Sequence, residues 1–310
     1  MRDAFIHELT LAAREDPRVF LVVGDLGYSV IEEFQAEFPD RFLNPGVAEQ
    51  SMIGIAAGLA ASGYSVFCYS IGNFPTMRPL EQIRNDVCYH DRSVTVVSVG
   101  GGFAYGYLGY THHAIEDVAV MRALPGMTVF APADAAETRV LVRAAVENGG
   151  PHYLRLGKNG EPKLHLSAPS FDSLRSGAVL REGSDIVLLA SGPIAGKALA
   201  AADVLAERGV YARVVSVPVI KPIGFDPALL LGTAAGIVTI EEHSLHGGLA
   251  SAVLEAAAVA GTFVPLIPVY ADEALAGKVI GSQAYIQDRT GLALADILSA
   301  ADRLLTAARD

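Results

Sequence analysis

The chain has 310 residues with 23 Lys and Arg against 34 Asp and Glu, and its formal net charge of −11 excludes nucleic acid, which needs a basic footprint. Hydrophobic residues make up 51% and charged residues 18%, yet charge or glycine interrupts the apolar stretches, as Lys197 does within Ile186 to Ala202, short of the roughly 20 residues of a membrane span. Cys68 and Cys88 are too few for a disulfide framework and lack zinc-site spacing, and Met1-Arg2-Asp3-Ala4 does not open like a signal peptide, so a reducing, cytoplasmic setting is expected.

At about 150 residues per domain, the length predicts two domains. In chain order, Asp3 to Arg14 reads as a helix and Phe20 to Val23 as a strand, followed by a helix over Glu49 to Ala61 and a strand over Tyr64 to Tyr69. The alternation continues with a helix over Met77 to Tyr89, strands over Val94 to Val99 and Met127 to Phe130, a helix over Ala135 to Glu147 and a strand over Tyr153 to Leu156. Lys158 to Leu174 has the Gly, Pro, Ser and charge content of a linker. Beyond it, strands are expected over Ile186 to Ala190, Ala212 to Val217, Gly236 to Ile240 and Val264 to Val269. Helices over Ile194 to Glu207, Gly248 to Ala260 and Leu292 to Ala308 separate or follow them. Short β-branched runs spaced by helices imply parallel crossovers, hence two doubly wound α/β domains with mostly parallel sheets. The apolar excess over what two small cores need points to a large obligate interface.

The glycine-rich turns do not complete a nucleotide fingerprint. Gly24-Asp25-Leu26-Gly27 lacks the G-x-G-x-x-G spacing, and Gly192 to Ala198 is one residue short of a P-loop and lacks its Ser or Thr. His112 and His113, followed by Glu116 and Asp117, present an i,i+4 pattern, but adjacent histidines face different ways, so at most one belongs to a single site. Arg155, at a strand end, suits either a carboxylate partner or a ligand phosphate.

The segment Arg41 to Gly63 carries most information. Glu49 sits in the first turn of a helix that is otherwise almost all Ala, Gly, Ile, Leu and Met, so the helix should be buried on all sides. A carboxyl group there suits hydrogen bonding to a heterocycle nitrogen, because desolvation favours its protonated form; the plainer alternative is that Glu49 complements the helix N-terminus.

Gly46-Val-Ala-Glu49-Gln50 with the following Met-Ile-Gly-Ile-Ala-Ala-Gly-Leu-Ala resembles the transketolase family. The resemblance continues through Thr76-Met77-Arg78-Pro-Leu-Glu81-Gln82-Ile-Arg84, Thr111-His112-His113-Ala-Ile-Glu116-Asp117 and Leu124 to Asp134. It reaches Thr239-Ile-Glu241-Glu242-His243 and Gly247-Gly248-Leu-Ala-Ser251 in the second half. It implies a pyrimidine-binding domain over residues 1–165, a linker over 166–175 and a transketolase C-terminal domain over 176–310. The implied cofactors are thiamine diphosphate and Mg²⁺. The family's Gly-Asp-Gly diphosphate motif and its metal loop have no counterpart here, so the resemblance is to the C-terminal subunit of a split transketolase. An N-terminal partner subunit would then supply the metal and diphosphate site, in an α2β2 heterotetramer.

By the same resemblance, Glu49 hydrogen-bonds the cofactor's aminopyrimidine and promotes loss of its thiazolium proton, which falls to an intramolecular base. Phe74 stacks on the pyrimidine or is a core residue, and Asp25 lies near the thiazolium. His112 faces the substrate oxygens, with His113 and Arg155 as further substrate contacts. The sequence departs from the family before His112: Tyr107 and Leu108 replace acids, His113 replaces Gln, and Gly100 stands where classical members have a substrate-contacting His. Ketol transfer on a specialised sugar is the expectation. The alternatives are the small subunit of a 2-oxo acid dehydrogenase decarboxylase component and a noncatalytic transketolase-like scaffold.

Overall fold

In the computed structural model, which describes residues 1–308, two sheets carry the chain. The first half begins α1 (Arg2–Glu15), β1 (Val19–Val23), α2 (Glu32–Glu37), β2 (Phe42–Leu43), α3 (Glu49–Ala61) and β3 (Ser65–Ile71). It continues α4 (Phe74–Met77), α5 (Leu80–Gln82), β4 (Val94–Val99), α6 (Asp117–Ala123), β5 (Thr128–Phe130), α7 (Ala135–Asn148) and β6 (His152–Leu156). The second half begins α8 (Phe171–Arg175), β7 (Ala178–Arg181), β8 (Ile186–Ser191), α9 (Ala195–Glu207), β9 (Ala212–Ser216), β10 (Val219–Lys221) and α10 (Pro227–Leu231). It ends β11 (Ile237–Glu241), α11 (Leu249–Val259), β12 (Leu266–Val269), α12 (Glu273–Ala276), α13 (Gln283–Arg289) and α14 (Leu294–Ala307).

The first sheet has the order β10-β5-β6-β4-β3-β1-β2 and the second β12-β11-β8-β9-β7. Among the described strands only β10 on β5 and β7 on β9 pair antiparallel. Alternate residues of each strand feed opposite layers. On one face of the first sheet, Leu21, Phe67, Val97 and Leu154 pack under Phe5 and Leu9 of α1 and Leu141 of α7. On the other, Val22, Cys68, Val96 and Tyr153 pack under Met52 and Ile53 of α3 and Met121 of α6. The second sheet is sandwiched likewise, with Leu188 and Ile240 under α9 and α14, and Leu189 and Ile237 under α11.

Three features differ from the sequence expectation. Met77 to Tyr89 is not one helix: α4, α5 and a π-helical turn over Ile83–Cys88 follow in succession, because Pro79 lacks an N–H and its ring obstructs the preceding turn. The linker stretch ends in α8, capped by Ser170 and anchored by the buried Leu174. The edge strands β2, β7 and β10 are too short to show periodicity. Strand β10 comes from the second half yet completes the first sheet, pairing Val219 with Phe130 and Lys221 with Val129.

Helix α3 also departs from expectation. Glu49, Met52, Ile53, Ala56 and Ala57 are buried, while Ser51, Gly54, Ile55 and Gly58 are exposed, since nothing among the described residues covers that side.

Candidate active site

The parallel strands β1, β2, β3 and β4 end at one sheet edge, where open α/β sheets bind ligands. Asp25 follows β1, the approach to Glu49 follows β2, Phe74 follows β3, and the loop carrying His112 follows β4.

Glu49 is 4% exposed and meets a cation of this chain. Arg78, just after α4, places Nη1 at 2.8 Å from Glu49 Oε1 and 2.9 Å from Oε2. The same guanidinium lies 4.4 Å from the centre of the Phe74 ring. Phe74 in turn meets His112 edge to face, with centroids 5.1 Å apart. Glu49, Arg78, Phe74 and His112 thus form a continuous row. Beside it an open cavity of about 380 Å³ is lined by Val47, Ala48, Glu49, Gln50, Ser51 and Arg78.

Asp25 is exposed and takes a left-handed backbone (φ 55°). Its Oδ1 accepts from Asn44 Nδ2 at 3.1 Å, while Asn44 Oδ1 accepts from the N–H groups of Asp25 and Gly46 at 3.2 and 3.0 Å. Asn44 therefore ties the end of β1 to the segment that enters α3. His112 is half-buried, with Nδ1 3.0 Å from the Thr111 hydroxyl. Burial, assisted by His113 and Arg78, lowers its pKa below the usual imidazole value, which leaves the ring neutral at pH 7.

Two predicted substrate contacts lie elsewhere. His113 is fully buried, edge-on to Phe103 at 5.1 Å, because adjacent residues on this loop point to opposite sides. Arg155, 6% exposed, donates through Nε to Asp117 at 2.8 Å and through Nη2 to the carbonyls of Ala114 and Glu242 at 2.6 and 3.0 Å. It keeps its charge in spite of burial because Asp117 lies against it. Among the described residues no contact joins it to Glu49, Phe74 or His112; its exposed edge faces a separate cavity between the two halves, beside Lys158 and Lys197.

The second half braces the His112 loop. Glu242, whose pKa burial raises, accepts from the Phe103 N–H at 2.9 Å and from Gln283 Nε2 at 2.8 Å. Gly102 leaves the room: a Cβ there would lie 2.5 Å from Glu242 Cδ. Glu241 accepts from the N–H groups of Leu249 and Ala250 at 2.6 and 3.0 Å and so caps α11. His243 Nε2 accepts from Ala119 N–H at 3.3 Å, so the second-half motif residues act as scaffolding.

The sequence reading gave no role to Arg78 or Asn44. The available signal for Arg78 was Glu49 itself: a carboxylate out of water needs a cation, and Arg78 is the basic residue opening the next motif. No three His, Cys, Asp or Glu side chains converge on a metal-sized site among the described residues.

Two α/β units in tandem, with a buried glutamate opening a small-residue helix at the sheet edge of the first, place the candidate site in the first half and its bracing contacts in the second. The model of the transketolase pyrimidine-binding domain matches residues 1–162, and that of the transketolase C-terminal domain matches residues 176–271. The chain belongs to the transketolase family, whose enzymes depend on thiamine diphosphate. It is 38% identical to one of the subunits of an apulose-4-phosphate transketolase from Phocaeicola vulgatus, over 82% of each chain. It is 35% identical to the 6-deoxy-6-sulfo-D-fructose transketolase subunit SqwH of a Clostridium species, over 97% of this chain and 93% of that one. A solved structure described as a split gene transketolase, inactive beta4 tetramer, superposes with a TM-score of 0.88 at 37% identity over 98% of both chains.

Proposed function

We propose that this chain is the C-terminal subunit of a two-subunit transketolase that moves a two-carbon ketol unit from a ketose donor to an aldehyde acceptor. The observation that carries this reading is the row of Glu49, Phe74 and His112 at one sheet edge, with the carboxylate buried and the imidazole accessible. The residues fit a pyrimidine ring: a buried carboxylate to hold a ring N–H, an aromatic side chain to flank it and an open cavity beside them.

When bound, thiamine diphosphate supplies a nucleophilic thiazolium carbon. Glu49 holds a proton at the pyrimidine ring nitrogen and orients that ring, and Phe74 excludes water from its face. His112, neutral at pH 7, gives or takes a proton at the substrate oxygen. Asp25, held by Asn44, adds a carboxylate at the next strand end.

The diphosphate and Mg²⁺ fall to an N-terminal partner subunit in an α2β2 heterotetramer. The exposed small-residue face of α3, formed by Ser51, Gly54 and Gly58, supports that partnership, since small residues allow another chain's backbone to approach. No described helix is long and apolar enough to cross a membrane. The reading puts the enzyme in the cytoplasm, where the free thiols of Cys68 and Cys88 remain reduced.

Reconstitution tests this. Alone, the chain should bind thiamine diphosphate poorly and be inactive; with its partner it should transfer ketol units between sugars. Tight Mg²⁺-dependent binding by the isolated chain, or CO₂ release from pyruvate without ketol transfer by the complex, would refute the proposal.

A further inference from the structure

Arg78 and Glu49 are unequal partners. The carboxylate is 4% exposed and fixed in the first turn of α3, whereas the arginine side chain is 49% exposed. One nitrogen, Nη1, reaches both carboxylate oxygens at 2.8 and 2.9 Å and so engages the acceptors that another N–H donor would use. The guanidinium simultaneously covers Phe74 at 4.4 Å. A guanidinium is planar, delocalised and edged with N–H donors, and it stacks on aromatic rings; an aminopyrimidine has the same shape and the same kind of edge.

We propose that Arg78 is a built-in place-holder for the cofactor's pyrimidine ring, engaging Glu49 and the face of Phe74 in the cofactor-free chain and leaving both when the ring binds. This rests on the functional reading above. The physical need is on the Glu49 side, because a carboxylate withdrawn from water and left unpaired is strongly unfavourable. The ease of release is on the Arg78 side: a half-exposed guanidinium regains hydration as it swings out. The cavity beside the pair is lined by Arg78 itself, so its departure enlarges the space next to Glu49. Competition from an internal group lowers the apparent affinity of a ligand by the fraction of time the site is free.

The test is equilibrium binding of thiamine diphosphate with Mg²⁺ to the complex assembled with the partner subunit, measured by calorimetry for the parent, Arg78→Met and Arg78→Lys. Methionine keeps bulk without charge or N–H groups, and its complex should bind the cofactor about three- to tenfold more tightly, the range expected for losing a half-exposed ion-pair competitor. Lysine keeps the charge without the flat fork and should fall between the two, which keeps the test open if the methionine variant fails to assemble. In parallel, Arg78→Met should lower the melting temperature of the isolated chain, and Glu49→Gln in that background should restore part of the loss. A permanent structural brace would show the second effect without the first. Unchanged or weaker cofactor binding in the variants, with normal binding by the parent, overturns the place-holder; absence of binding by the parent complex overturns the functional reading and the place-holder with it.

Discussion

The ring of Tyr105 occupies the space that a side chain at position 100 would need. A Cβ on Gly100 would lie 2.1 Å from Tyr105 Cε2, and Gly100 adopts a φ of +84° that side chains rarely tolerate. Position 100 is where the family resemblance leads one to expect a substrate-contacting histidine, and no side chain larger than glycine's fits there without moving Tyr105. Lys158 Nζ sits 4.6 Å from the centre of that ring, and the same ring lies 6.4 Å from His112.

The first prediction concerns substrate. Tyr105 lies 6.4 Å from His112, and the loop that leads into His112 exposes Tyr110 and, where the family pattern has acids, Tyr107 and Leu108. A site without hydrogen-bonding partners for sugar hydroxyls loses discrimination for them, whereas one built around them can reject analogues by about 10⁴. The reconstituted complex should turn over xylulose 5-phosphate with ribose 5-phosphate at a kcat/KM below the ordinary range of about 10⁴ M⁻¹s⁻¹. Steady-state assay of that pair decides it, and efficient turnover would leave an ordinary split transketolase. His112→Ala should reduce turnover for any accepted pair.

The second concerns cofactor activation. Glu49→Ala and Glu49→Gln should keep the fold but slow hydrogen–deuterium exchange at the thiazolium carbon of the assembled complex by about 10²–10⁴. Exchange in Glu49→Ala at the parent rate would reduce Glu49 to a helix-end charge.

The third separates structure from catalysis at Arg155. Asp117 is fully buried and takes its cation from Arg155, while Tyr153 also donates to it. Arg155→Met strands that carboxylate and should destabilise the chain by about 3–5 kcal/mol. Urea unfolding checks the loss, and Asp117→Leu in the same chain should recover much of it. Normal stability combined with a raised KM would instead return Arg155 to the substrate.

The fourth concerns pH and the stretch that joins the two halves. Asp134 Oδ1 caps α7, and Oδ2 accepts from the Leu164 and His165 N–H groups at 2.9 and 3.0 Å and lies 3.2 Å from the His165 ring. The hydrogen bond to Asp134 raises the His165 pKa, and burial pushes Glu137, 3.6 Å from the same ring, up to about 7. A histidine with a raised folded-state pKa stabilises fully below its unfolded value near 6.5, and the benefit disappears as pH climbs through the folded value. Glu137 shifts stability in the same direction from about 4.5 upward. His165→Ala should therefore lower the melting temperature more at pH 6 than at pH 9, by about 2–4 °C for each kcal/mol lost. An equal decrease at both values would show that the ring only fills space.

The parallel α/β architecture and the position of Glu49 were legible in the sequence because both rest on local pattern. Central strands are continuous β-branched runs, the intervening helices carry Ala and Leu at helical spacing, and the motif around Glu49 is contiguous. Short elements escaped for lack of periodicity, as with β10, and Pro79 broke a helix whose apolar spacing alone looked unbroken. The partners of charged groups were not legible, because Arg78 stands 29 residues from Glu49 and Asp117 stands 38 from Arg155. Adjacent histidines parted in the same way, His112 toward Phe74 and His113 into the core, since backbone direction in an irregular loop follows from what the loop packs against. Sequence determined which segments would form the central strands and which carboxylate opens α3; only the tertiary structure decided which face of that helix is covered and which cation answers that carboxylate, because the cost of burying a charge is met by whichever opposite charge the fold brings within reach.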